Sequence, residues 1–230
     1  MTGYYEIPRY VLAQDKLIQE TDNLMRKLAI AAGLLAVALP AHANPTLEGV
    51  ASGLYNLEKT HAFLTWTVKH NGISSYTVNF TDFNADLVFD ADSPESSQLS
   101  VSINPTALNT NYPDPAKKVE WETELANDPK FMNAAEFPAI TFNSTAVTTT
   151  GEFEGTVTGD LTFLGVTKPV TLDVSYGGVA NPPWFGQRDV IGFTASTTIT
   201  RSDFGQTSLA GIISDEVEIE FSGEFLQAEE

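Results

Sequence analysis

Apolar and polar residues alternate along most of the chain, most clearly in the segment Gly155–Tyr176. Its apolar positions fall into two runs on either side of Leu164–Thr167: Val157, Leu161 and Phe163, then Val170, Leu172, Val174 and Tyr176. Successive side chains of a strand point to opposite faces. The segment therefore predicts a hairpin with one apolar face and one hydroxyl-rich face.

The same period of two predicts strands before and after this hairpin. A long first strand is expected over Gly53–Leu57 and Phe63–Lys69, with an interruption around Glu58–Thr60. Later strands are expected where the alternation returns: Leu99–Ile103, Ile140–Ser144, Ile191–Ile199 and Val217–Phe225. In the last of these, glutamates occupy the face opposite the apolar residues, which is typical of a strand with one side in water.

The phase of the alternation changes once between two neighbouring apolar runs. Even positions are apolar from Tyr76 to Phe80, whereas odd positions are apolar from Phe83 to Phe89. A shift of one residue is what a β-bulge or a sharp bend produces. We therefore expect either two successive strands or one strongly bent strand, with the change near Thr81–Asp82.

The segments between these strands are predicted to form one helix and several loops. Lys117–Asn127 is the one convincing helix after residue 43, whereas Asn109–Ala116 holds two X-Pro breaks and is expected to be irregular. Gly177–Gly178 and Asn181–Pro183 mark a loop that carries Trp184 and Phe185, which either form part of a rim or are exposed aromatic residues of the loop. At Arg201–Gly205 we expect a structural corner, with Asp203 turning the chain and Gly205 permitting positive φ.

These elements together predict one all-β domain with eight or nine amphipathic antiparallel strands and one short helix. A sandwich and an up-and-down barrel both fit the pattern. The local hairpin connections favour the barrel. An eight-stranded barrel is either filled by its own side chains or holds one small ligand, and the alternation leaves both alternatives open.

The charge of the chain limits the kinds of binding partner that we expect. The chain of 230 residues has a formal net charge of −18 and no cysteine. Residues 1–43 contain four basic and four acidic residues, so the rest of the chain keeps the whole excess. An acidic body repels nucleic acid and anionic membrane surfaces, so we expect neither nucleic-acid binding nor stable membrane insertion. The oligomeric state stays open, a homodimer being one alternative.

The N-terminal region has the three parts of a secretory signal peptide. Met25–Lys27 is basic, Leu28–Leu39 is uncharged and apolar, and Pro40–Ala43 ends in an Ala-x-Ala cleavage pattern. We interpret 25–43 as a signal peptide, 1–24 as a mis-annotated extension, and 44–230 as the barrel domain of an exported protein. A buried helix is the alternative interpretation of the apolar run.

The sequence gives little evidence for a catalytic or metal-binding site. His61 and His70 are nine positions apart and fall on opposite faces of a regular strand, so no shared metal site is expected. The chain contains no cysteine and no Gly-x-Ser-x-Gly pattern for a nucleophile. We therefore predict no catalytic residue, no metal ligand and no cofactor.

Short motifs in order along the chain resemble those of the YceI-like family. Gly159–Thr162 and Gly165–Val170 resemble its GDLTLHGVTKPV signature, and Arg201–Gly205 is similar to its RSDFG. Three further segments are similar to its other motifs: Tyr55–Ala62, Phe137–Thr145 and Ser214–Val217. The resemblance covers Gly53 to Phe225. It implies a lipocalin-like periplasmic barrel that binds an isoprenoid quinone or polyprenyl lipid, with no known catalytic activity.

The inward faces of the predicted strands and the helix supply the candidate ligand-binding residues. Together with the resemblance, they favour a lined cavity over ordinary core packing: Trp66, Val68, Phe80, Trp121, Leu125, Phe131, Phe142, Leu161, Phe163, Leu172, Ile191, Phe193 and Phe221. Two other functions stay open. One is an enzyme of isoprenoid or quinone metabolism that uses His61 or a carboxylate at the barrel mouth, and the other is an interaction module with a filled core.

Overall fold

The structure is a computed structural model that describes residues 46–229. The predicted extension at 1–24 and the predicted signal peptide at 25–43 lie outside the described residues. The described chain contains ten strands and one α-helix. In chain order they are β1 Gly53–His70, β2 Ser74–Phe80, β3 Phe83–Phe89, β4 Gln98–Ile103, β5 Leu108–Asn109, α1 Pro115–Asn127, β6 Ile140–Thr149, β7 Glu154–Phe163, β8 Val166–Ala180, β9 Val190–Thr200 and β10 Glu216–Gln227.

The strands form a closed antiparallel barrel with eight strand positions. Neighbouring strands pair in the order β1, β3, β4, β6, β7, β8, β9 and β10. The pairing of β10 with β1 closes the ring. This is the up-and-down barrel that the local hairpins favoured, and the sandwich alternative is wrong. Closure leaves no free edge along the ring, which removes the usual site of edge-to-edge association.

The long strand β1 has two neighbours on one side, which explains the phase change near Thr81–Asp82. Its second half pairs with β2, where Leu64 faces Phe80, and its first half pairs with β3, where Gly53 faces Phe89. The strands β2 and β3 thus share one position in the ring and meet at the predicted bend. On the other side of β1 the pairing with β10 shifts between Glu58 and Ala62, which is the predicted interruption.

The helix α1 begins at Pro115, two residues before the predicted start. The Asp114–Pro115 pair is a helix start and not a break, because proline is favoured in the first turn and Asp114 caps the helix. The Asp114 carboxylate accepts hydrogen bonds from Ala116 N at 3.0 Å and Lys117 N at 3.1 Å. The expectation of an irregular chain is also wrong at Asn109, which pairs with Asn79 of β2.

The pair Gly177–Gly178 lies inside β8 and not in a loop, which corrects the sequence prediction. The register between β8 and β9 shifts between Tyr176 and Gly178, and Gly178 has φ of 120°. The glycine pair that suggested a loop forms a β-bulge, and the strand then continues to Ala180. The following turn starts at Asn181, as predicted.

The two faces of the barrel wall differ as the alternation predicted. A cluster of buried apolar side chains fills much of the interior, including Tyr55, Val78 and Ile191, which are almost fully inaccessible. On the outer face, threonine hydroxyls of neighbouring strands contact one another; Thr158 and Thr171 Oγ1 lie 2.9 Å apart. Among residues 46–229, no helix combines the length and the apolar character that crossing a bilayer requires.

Candidate functional site

The barrel interior contains two apolar cavities, one towards each end. The large cavity has a volume of about 430 Å³ and the small cavity about 150 Å³. A drug-sized ligand typically occupies a pocket of about 300–1,000 Å³, so only the large cavity reaches that size. A further depression of about 750 Å³ lies on the outer wall and is lined mainly by Thr, Ser and acidic residues, so it does not suit an apolar ligand.

Eight of the thirteen predicted ligand-binding residues line the large cavity. They come from β1, β2, β7, the helix and the turns after it: Trp66, Val68, Phe80, Trp121, Leu125, Phe131, Leu161 and Phe163. Three others, Leu172, Phe193 and Phe221, line the small cavity instead. The structure thus divides between two cavities a set that the sequence had treated as one.

The remaining predicted residues take other positions. Of the described side chains, Phe142 and Ile191 are buried but line neither interior cavity. Trp184 and Phe185 form a short 3-10 helix between β8 and β9, and Trp184 is 76% exposed. They do not line either cavity, which agrees with the exposed-loop alternative and not with a rim.

Helix α1 and the turns after it cover part of the large cavity. Trp121 donates a hydrogen bond from Nε1 to the Tyr76 hydroxyl at 2.7 Å, and its ring packs edge-on against Phe131 at 5.7 Å between centroids. These contacts fix the helix to β2 and place Leu125 against the cavity. Burial raises the pKa of Tyr76, and its hydrogen bonds with Trp121 and Thr110 oppose that shift, so the phenol is neutral.

The large cavity reaches the protein surface at one end of the barrel. Exposed residues border it there, and we call His70, Ser74, Tyr112 and Leu209 the mouth. The turn after β1 is joined to the connection between β9 and β10, because Asn71 N donates to Ile212 O at 2.6 Å. This bond joins two sides of the mouth, which combines polar and apolar side chains around an apolar interior.

Arg201 is the one fully buried cation among the described residues of the cavity wall, and the site prediction did not include it. Its Nε donates to Ser214 O at 2.8 Å, and its Nη1 donates to Ser208 O at 2.7 Å and to Gln206 O at 3.0 Å. Nη1 also contacts Gln206 Oε1. Burial lowers the pKa of Arg201, and Asp215, with Oδ1 4.0 Å from Nε, opposes that shift.

The corner after β9 is built differently from the prediction. Gly205 has φ of 82°, as expected, and closes a 3-10 helix over Arg201–Phe204. Asp203 is exposed, whereas Asp215 accepts hydrogen bonds from Ser202 N at 3.0 Å and Ser202 Oγ at 2.6 Å. These two bonds hold the pKa of Asp215 below its usual range. The carboxylate that stabilises this corner is therefore that of Asp215 and not that of Asp203.

The opposite end of the barrel is closed around a buried carboxylate. Asp189 accepts hydrogen bonds from Ala51 N at 2.7 Å, Tyr55 OH at 3.2 Å and Asn181 Nδ2 at 2.6 Å. Burial, with a smaller effect of Asp189, raises the pKa of Tyr176 to about 12. This network ties the segment before β1 to the start of β9 beyond the small cavity.

The two histidines lie in separate environments. His70 borders the mouth, whereas His61 lies at the β1 bulge with Nδ1 2.6 Å from Glu58 Oε2 and 3.8 Å from Glu224 Oε2. These ligand atoms are close enough for a divalent ion. The hydrogen bond between His61 and Glu58 explains their short distance without a bound ion. Partial burial raises the pKa of Glu58, but hydrogen bonds from Thr60 and His61 outweigh it, so the pKa lies below its usual value.

Some residues of the large cavity could have been found from the sequence. Val217 and Ile219 of β10 and Ile199 of β9 line it, and all three follow the predicted inward alternation. Arg201 could not be found in this way, because a charged residue in a turn motif is usually exposed.

Comparisons with known proteins agree on one family. The YceI-like domain family matches residues 55–225. A UPF0312 protein of Enterobacter sp. (strain 638) is 37% identical over 196 residues, which cover 84% of this chain and 96% of that protein. The crystal structure of the Campylobacter jejuni YceI protein has a TM-score of 0.60 at 32% identity and covers 70% of this chain and 90% of its own.

A more distant structure shares the fold. A polyisoprenoid binding domain from Saccharophagus degradans, implicated in plant cell wall breakdown, has a TM-score of 0.53 at 14% identity. The similarity covers 78% of this chain and all of that domain. At this level of identity the similarity shows a shared barrel architecture.

Proposed function

This chain belongs to the YceI-like domain family, and from that premise we propose that it binds one polyisoprenoid lipid, an isoprenoid quinone or a polyprenyl lipid, in the large cavity. The observation that carries the proposal is an apolar cavity of about 430 Å³ that reaches the surface of a closed barrel. Burial of prenyl methyl and methylene groups against these walls drives binding, because apolar surface is removed from water.

The distribution of polar groups supports an amphiphilic ligand. The deeper wall is formed by aliphatic and aromatic side chains such as Phe80 and Leu161, whereas His70, Ser74 and Gln206 lie towards the mouth. A polar head group at the mouth keeps its hydrogen bonds while the chain is buried, so its desolvation cost stays small. The polyisoprenoid binding domain from Saccharophagus degradans shares the barrel, which also supports this ligand class.

We propose a periplasmic location and a carrier or sequestering role. The signal-peptide pattern in 25–43, which lies outside the described residues, supports export. A carrier needs an apolar interior and an open mouth, and the large cavity provides both. The role of the protein is then to keep a water-insoluble prenyl chain dissolved in an aqueous compartment.

A binding titration with one cavity-blocking variant tests this function. Trp66 and Trp121 line the cavity, so their fluorescence reports binding when an isoprenoid quinone is titrated into delipidated protein. Ile199→Phe enlarges a cavity-lining side chain, and we expect it to weaken binding by about tenfold or more, which is about 1.4 kcal/mol or more of binding free energy.

The matched control is Thr198→Phe, which places the same ring on the exposed face of the same strand. We expect this variant to bind like the unmodified protein. Absence of saturable binding to the unmodified protein, or equal affinity for both variants, would contradict the proposed function.

A further inference from the structure

We infer that a layer of side chains across the middle of the barrel, built around Phe142, sets the length of prenyl chain that the large cavity accepts. The inference rests on the proposed function and adds to it a residue that determines specificity. It starts from the finding that the large and the small cavity share no lining residue.

The two cavities are separated at the same level on four strands. On β4, Ile103 lines the large cavity and Leu99 the small one, whereas Val101 between them lines neither. On β7 the corresponding residues are Leu161, Val157 and, between them, Gly159. On β9, Thr197 lies between Ile199 of the large cavity and Ala195 of the small one. On β6, Phe142 lies between Ile140 and Val147, with a bulge on the side of Val147. We call Val101, Phe142, Gly159 and Thr197 the partition.

Phe142 supplies most of the bulk of the partition. The other three members are a valine, a threonine and a glycine, and Phe142 is only 5% exposed. Its ring leans across the pair β6–β7 onto Gly159, since a β-carbon at position 159 would lie 2.5 Å from Phe142 Cζ. Because Gly159 has no side chain, the Phe142 ring has room to lie between the two cavities.

A second aromatic contact supports the same layer from β10. The Phe221 ring lies over Gly223, where a β-carbon would lie 2.7 Å from Phe221 Cζ. Phe83 of β3 packs edge-on against Phe221 at 6.3 Å between centroids. Bulky rings over inward-facing glycines thus occur on two strands at the middle of the barrel, and they leave the small cavity beyond them.

The chain-length limit follows from this geometry. Each additional isoprene unit strengthens binding while it is buried in apolar surroundings. The gain ends when the tail reaches Phe142, and further units extend out of the mouth. Truncation of Phe142 opens the small cavity, so about 150 Å³ is added to about 430 Å³.

The test measures affinity for linear polyprenols that differ by single isoprene units, by native mass spectrometry on delipidated protein. For the unmodified protein we expect affinity to rise with length and then to reach a plateau. Phe142→Ala should move the start of the plateau to chains about one third longer, in line with the two cavity volumes. The control Ile191→Ala removes an equally buried side chain that lines neither cavity, and its plateau should not move.

A second variant keeps the test decisive if Phe142→Ala does not fold. Val157→Phe fills the small cavity beyond the partition, and we expect it to leave the plateau of the otherwise unmodified protein unchanged. A shorter plateau for Val157→Phe, or an unchanged one for a folded Phe142→Ala, would overturn the inference and leave the proposed function intact. If no polyprenol of any length binds the unmodified protein, the proposed function itself fails.

Discussion

At the scale of single residues, Arg201 is a buried cation that holds the connection between β9 and β10. Its guanidinium donates to the carbonyl oxygens of Gln206, Ser208 and Ser214. These carbonyls belong to the segment that forms one side of the mouth. Partly buried carbonyl groups cost free energy when they lack a donor, so Arg201 stabilises this side of the mouth.

Replacement of Arg201 should therefore destabilise the whole protein. We expect Arg201→Ala to lower the free energy of unfolding by about 2 kcal/mol, because three partly buried carbonyls lose their donor. Asp203→Ala is the control, since Asp203 is exposed, and it should change stability by less than about 0.5 kcal/mol. Urea denaturation of both variants measures the difference. A similar loss in both would contradict the role of Arg201.

At the scale of secondary-structure elements, the hairpin β7–β8 contains a turn that its sequence does not favour. Phe163 faces Val166, so Leu164 and Gly165 form a two-residue connection, with φ of 49° and 73°. Positive φ at both central positions defines the type I′ turn, which prefers Asn-Gly. Leucine in this conformation costs about 1 kcal/mol, so the hairpin tolerates local strain next to the large cavity.

Replacement of Leu164 should relieve that strain. We expect Leu164→Asn to be more stable than Leu164→Ala by about 1 kcal/mol, because both lose the leucine side chain but only asparagine tolerates the left-handed region. Thermal denaturation of the two variants isolates the backbone effect from the lost contacts. Equal stability would show that the turn does not hold residue 164 at positive φ in solution.

Most of the secondary-structure elements could be predicted from the sequence. Alternation located the strands and their faces, and the change of phase near Thr81 identified the bend where β2 meets β3. The bulge at Gly177–Gly178 was missed, because two glycines favour a loop and a bulge equally by their backbone freedom. The early start of α1 at Pro115 was missed because X-Pro pairs occur both in breaks and in the first turn of helices.

At the scale of the whole molecule, the protein is a closed barrel with a divided interior. The candidate site was predicted only in part. Inward alternation identifies apolar residues such as Leu161 and Leu172 but not the cavity that each one lines. That assignment depends on where the Phe142 ring lies across the strands, and diagonal contacts of this kind follow from packing and not from the order of residues. The burial of Arg201 depends in the same way on how the segment 206–214 folds back over it.

The central claim is that the large cavity holds a prenyl lipid, and organic extraction tests it most directly. The protein is purified without detergent from cells that contain isoprenoid quinones and polyprenyl lipids, and mass spectrometry identifies the extracted molecules. We expect a prenyl lipid in an amount close to that of the protein, and depletion of that lipid in Ile199→Phe but not in Thr198→Phe. An extract of folded, unmodified protein without any prenyl lipid would contradict the claim.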